Sequence, residues 1–151
     1  EGVTLRVAET EIEARAYELD SFGHVNHAVY LNYFEQARFE VLARAGFTYE
    51  ELFRRGWAIH VIRVEVDYHR EVLLGDRLRI QTWIEEFGRV TMTLRQAARR
   101  EPRTGGAQGE AQETLVAEAR VEAVWIGENG RPMRVPSEVR EDFGKLEAWI
   151  D

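Results

Sequence analysis

Between positions 20 and 27 the chain collects Asp20, His24, Asn26 and His27, an acid, two imidazoles and an amide within eight residues. Histidine titrates near neutrality and a carboxylate accepts protons, so these residue types have the parts for proton transfer. Ala28 follows at once and opens a run in which Tyr30, Tyr33, Phe34, Ala37, Val41, Leu42 and Ala45 recur three and four positions apart, with Gly46 placed to close the last turn. That spacing predicts a helix with a wide apolar face over 28–45. The first turn of such a helix carries unpaired N–H groups and a partial positive charge, which suit an oxygen that becomes negative during a reaction. Asp20 lies eight residues before Ala28, in a connection that must bend back toward the helix start. There it can serve as a general base on water or as a direct nucleophile; without further context it reads as a solvated loop acid or a helix cap.

The elements that must hold this cluster follow from periodicity. Residues 11–17 alternate Ile12, Ala14 and Ala16 with Glu11, Glu13 and Arg15, which predicts a half-buried strand. Thr48 and Glu51 form a capping-box pair that opens a short second helix, ended by Gly56. Strands are predicted over 58–68, 77–87, 90–98 and 115–126, with turns at Gly75-Asp76, Gly88-Arg89 and Asn129-Gly130 and a flexible loop over 101–113. That loop is no phosphate-binding P-loop, since no Gly-Lys-Ser/Thr follows. Ser137 is a reasonable cap for a C-terminal helix over 138–149. A strand, a long helix and then four strands imply an α+β domain whose antiparallel sheet wraps one central helix.

Composition bounds the function classes. With 151 residues the chain fits one domain, taken as 1–151. A formal net charge of −7 argues against general nucleic-acid binding, which needs clustered cations. Nothing approaches the ~20 apolar residues of a membrane span, and the start Glu1-Gly2-Val3-Thr4 lacks a secretory signal. Cysteine is absent, which excludes a thiolate nucleophile and a cysteine-ligated metal, and fits a reducing cytoplasm. His60 and His69 have no second ligand at metal spacing and are read as structural, so no metal site is expected.

The segment Tyr17-Glu18-Leu19-Asp20-Ser21-Phe22-Gly23-His24-Val25-Asn26-His27-Ala28-Val29-Tyr30 resembles the signature of hotdog-fold acyl-CoA thioesterases of the 4-hydroxybenzoyl-CoA thioesterase and YbgC-like type. Val64-Glu65-Val66-Asp67-Tyr68, followed by Gly75-Asp76-Arg77-Leu78, is similar to the family's second strand and the turn after it. Pro132 and Pro136-Ser137-Glu138-Val139-Arg140 extend the similarity over nearly the whole chain. The resemblance implies a hotdog fold: a sheet of five or six strands curled around the long helix. It also implies sheets joined edge to edge in a homodimer or a dimer of dimers, with active sites at the interface. Asp20 would be the catalytic carboxylate, and the backbone N–H groups of His27 and Ala28 would hold the thioester carbonyl. Coenzyme A would enter only as part of the acyl-CoA substrate, with no other cofactor.

Around that core, His24 and Asn26 are candidates to tune or orient Asp20. Asn26 equally suits a loop side chain bonded to its own backbone. Glu35, two turns into the helix, is a candidate second acid or a partner for Arg38. Arg89, Arg99 and Arg100 are candidates for CoA phosphates. A hydratase reading lacks the Pro- and Gly-rich histidine motif it would need. The alternative from another class is a non-catalytic acyl-CoA sensor or scaffold.

Overall fold

The computed structural model describes residues 7–103 and 111–142. The first strand, β1 (Ala8–Glu13), starts three residues before the predicted 11–17 and stops earlier. Its last pair is Glu13 with Arg77. Beyond it the Glu18 carboxylate accepts the Arg15 N–H at 2.8 Å and coils Ala16–Glu18 into one 3-10 turn. A local carboxylate bond thus overrides the alternation that continues to Ala16.

Helix α1 (Val29–Arg44) buries Tyr30, Tyr33, Phe34, Ala37, Val41 and Leu42 on one face. Helix α2 (Tyr49–Arg55) opens with Thr48 Oγ1 accepting the Glu51 N–H at 3.2 Å. The Glu51 carboxylate does not complete the predicted box: it binds Arg54 and Arg55. Gly56, at φ 72°, ends α2 in the left-handed conformation that glycine adopts without strain. There follow β2 (Ala58–Tyr68), β3 (Arg77–Phe87), β4 (Thr91–Arg100), β5 (Thr114–Ile126) and a short α3 (Ser137–Asp142). Ser137 lies within α3 instead of ahead of it. Residues 104–110 of the predicted loop and 143–149 of the predicted helix lie outside the described residues.

The sheet order is β1-β3-β4-β5-β2, antiparallel throughout. The chain must therefore pass from one edge to the other between β1 and β2, and α1 is the element that makes the crossing. Register shifts at Val61/Arg63, Ile84/Glu86 and Ala98/Arg99 add the local twist that lets the sheet curl over the helix. One apolar cluster joins Tyr30, Tyr33, Phe34 and Ala37 to Leu78, Ile80 and Val121, and a second joins Val41 and Leu42 to Leu94, Trp125 and Val135. Strand β2 is an edge, and its Val61, Ile62 and Val64 are exposed. Among the described residues no helix is long and apolar enough to cross a membrane.

Candidate active site

The loop that carries Asp20 is closed by its own backbone. The Asp20 N–H donates to His24 O at 2.7 Å and the Gly23 N–H to Asp20 O at 3.1 Å. Gly23 sits at φ 79°, where a side chain would be strained. The Asp20 Oδ1 accepts the N–H groups of Phe22 at 2.8 Å and His24 at 3.2 Å. One carboxylate oxygen is thereby fixed, and Oδ2 has no hydrogen-bond partner among the described residues. The loop docks through the Val25 N–H, which donates to Val72 O at 2.8 Å, and the Asn26 N–H, which donates to Glu18 O at 2.9 Å.

The start of α1 is organised by Asn26. Its Oδ1 accepts the Ala28 N–H at 2.9 Å and its carbonyl accepts the Val29 N–H at 2.9 Å. The expectation that Ala28 offers a free oxyanion donor is corrected by that bond, because the side chain two residues earlier already uses the amide. The His27 N–H has no partner among the described residues. Its peptide is anchored through the Asn26 carbonyl, and the next peptide is anchored by the Tyr68 hydroxyl, which donates to His27 O at 2.7 Å. The open amide is a donor held in a fixed direction.

Two further groups brace this arrangement. Tyr30 and Tyr68 meet edge to face with centroids 5.3 Å apart, and burial with the nearby Tyr68 pushes the Tyr30 phenol up to about 12. Glu18, only 6% exposed, accepts from the Arg15 side chain and from the Tyr33 hydroxyl at 2.9 Å. Burial pushes the Glu18 carboxyl up, but the bonds from Arg15 and Tyr33 outweigh it and hold the group below its ordinary value. Burial and the Glu18 contact push the Tyr33 phenol upward.

Asp20, His24, His27, Tyr30, Tyr68 and Arg70 line one open cleft of about 420 Å³. The structure brings together Asp20, His24 and His27, with Asn26 beneath them as a backbone cap. The His24 imidazole has no partner among the described residues, although its N–H holds Asp20. Glu35 is exposed on α1 and borders a different pocket. The expected Glu35–Arg38 ion pair does not form within 4.0 Å; Arg38 donates to Gln96 Oε1 at 2.9 Å instead.

The three arginines do not gather at the cleft. Arg89 follows the far end of β3, about 33 Å of strand from Arg77. Arg99 donates to Gln81 Oε1 at 3.1 Å. Arg100 is 3% exposed and donates to the Glu71 carbonyl at 2.6 Å, a strut between β4 and the loop before β3. Sequence reasoning missed Tyr68, Arg70 and the Glu18–Tyr33 pair. Tyr68 closes an alternating strand, but which backbone its hydroxyl reaches, 41 residues away, depends on the fold.

The Thioesterase-like superfamily model matches residues 14–143. The chain is 34% identical over 139 residues to the acyl-acyl carrier protein thioesterase ATL2, chloroplastic, of Arabidopsis thaliana, covering 92% of this chain and 69% of that protein. It is 30% identical over 94 residues to the long-chain acyl-CoA thioesterase FadM of Escherichia coli, covering 62% of this chain and 70% of that one. A crystal structure of the DHNA-CoA thioesterase from Staphylococcus aureus superposes with a TM-score of 0.76 at 25% identity, covering 94% of this chain and 91% of the other. A sheet curled about one long helix is thus shared with enzymes named for thioester hydrolysis, and the chain belongs to the thioesterase-like superfamily with its hotdog fold.

Proposed function

We propose that the protein hydrolyses acyl-CoA thioesters to the free acid and CoA. The observation that carries the mechanism is that Asp20, with one carboxylate oxygen unpaired, and His27, with an open amide, line one cleft. Water adds to the thioester carbonyl carbon while Asp20 Oδ2 takes its proton, and the displaced C=O electron pair moves to the oxygen held by the His27 N–H. The tetrahedral species collapses, the C–S bond breaks, and the proton on Asp20 passes to the departing thiolate. The fixed Oδ1 aims the carboxylate, which favours its use as a base.

Asp20→Asn keeps an acceptor at Oδ1 and removes the base. Turnover, followed by thiol release from acyl-CoA, is expected to drop about 10²–10⁴-fold with the melting curve unchanged. Retained turnover would reject the role of Asp20. Rapid mixing of the unmodified protein is expected to show no burst of thiol, whereas a burst matching the site concentration would replace the base by a nucleophile. Arg70 lines the cleft with Nη1 donating to His69 O, and its remaining donors would meet the CoA phosphates. The plant relative is named for acyl carrier protein, so the same acyl groups on that carrier form a second arm; a lower KM there would change the carrier and leave the chemistry intact. The exposed edge β2 supports pairing with a second copy, to be measured by light scattering.

A further inference from the structure

A second, more enclosed pocket of about 340 Å³ lies under the latter half of α1, walled by Phe39, Leu42, Leu52, Trp57, Ile59 and Leu94. Its size is within the small-molecule range. Into this apolar wall the chain sets a cation, Arg38, half-buried. The orientation of Arg38 is fixed from behind. Its Nη1 donates to Gln96 Oε1 at 2.9 Å, and Gln96, itself 1% exposed, donates to Phe34 O at 2.9 Å and to Thr82 Oγ1 at 3.0 Å.

The front of the guanidinium is open. Nε and Nη2 have no partner among the described residues, and no described carboxylate lies within 4.0 Å. Glu35 borders the same pocket, is exposed, and acts on Arg38 only at longer range, while burial lowers the guanidinium pKa. A planar fork of donors in an apolar wall is a costly arrangement for packing alone, since a methionine would fill the volume without desolvating a charge. With Glu35 already supplying negative charge nearby, what the fork lacks is an acceptor more than an anion.

We infer that this pocket is an acyl subsite and that Arg38 selects chains bearing a neutral oxygen, hydroxyl or keto, in their distal half. The inference rests on the thioesterase reading. The cleft and the pocket share α1 and β2, for Tyr68 at the end of β2 lines the first and Ile59 near its start lines the second. Arg38 lies ten residues beyond Ala28, about 15 Å along the helix axis, so the selected oxygen is remote from the thioester carbonyl and a short aromatic acyl group would not meet it.

The test compares kcat/KM for plain acyl-CoA of one medium chain length with the same chain hydroxylated at carbon 3 or near its end, and with an ω-carboxyl form. The unmodified protein is expected to prefer the distal hydroxyl over the plain chain at least about tenfold, with no gain for the 3-hydroxyl form. In Arg38→Met that ratio is expected to fall to near one. No distal preference, a preference confined to carbon 3, or a stronger preference for the ω-carboxyl would each overturn the inference. Calorimetric binding of the corresponding free fatty acids needs neither hydrolysis nor the variant. Equal affinity for hydroxylated and plain acids would overturn the inference even if hydrolysis were sound, whereas a distal-hydroxyl preference in binding without thiol release would uphold the subsite and reject the thioesterase reading.

Discussion

Replacing Tyr68 by Phe isolates the positioning of the open amide. The change deletes the 2.7 Å bond to the His27 carbonyl and leaves the ring against Tyr30, so no cavity forms. A neutral hydrogen bond contributes about 0.5–1.5 kcal/mol net, and Tyr68 is 48% exposed, so water can replace the hydroxyl and the lower part of that range applies. For a chain of this size about 0.5–1 kcal/mol lowers Tm by about 1–4 °C. The effect on chemistry is larger than a stability change alone would give. Losing an oxyanion donor outright costs about 10²–10³-fold in kcat, and a donor freed to wander is expected to lose about three- to tenfold. On the proposed mechanism the amide is used only as charge develops, so kcat should fall with KM unchanged. Steady-state thiol release and a thermal melt read both quantities. If Tm falls while kcat stays within twofold, Asn26 and the helix alone hold the His27 peptide, and the positioning role of Tyr68 is refuted.

Two further substitutions probe the frame. Glu18→Gln weakens the bonds from Arg15 and Tyr33 and is expected to cost about 2 kcal/mol in denaturant unfolding. Because the folded-state pKa of Glu18 is lowered, its contribution is present above the ordinary carboxylate range and lost as pH falls through the folded value; the variant should show a shallower acid-side loss of stability. Gly56→Ala places a Cβ at φ 72° and 2.6 Å from Glu128 Cγ. A cost of about 1–2 kcal/mol, read as a Tm lower by about 2–8 °C, is expected, and no change would mean that α2 can end without a left-handed residue.

The parts of the fold that were legible are those whose signal is local. The three- and four-residue spacing from Tyr30 to Leu42 marks α1 because each of those residues faces the same sheet. The strands after Gly56 show as alternation bounded by turn residues. The end of β1 was misplaced because the alternation from Ile12 to Ala16 is genuine, and a side-chain bond from Glu18 turns the chain out of the strand there. At the site, the acid, both histidines and the asparagine could be singled out by type. Which amide stays open could not, since that depends on Asn26 Oδ1 reaching Ala28 and no farther. Arg100 shows the same limit: an arginine beside a loop looks solvent-facing until the fold buries it under the Glu71 carbonyl.

The edge strand β2 ties these observations into one physical argument. Its last residue holds the His27 peptide, its first residues wall the Arg38 pocket, and its middle offers Val61, Ile62 and Val64 to solvent. A strand with one free edge breathes more readily than one paired on both sides, and here such motion would shift the amide donor and the pocket wall together. The shift of register at Val61/Arg63 lies between the two, so each end can be set at its own angle to α1.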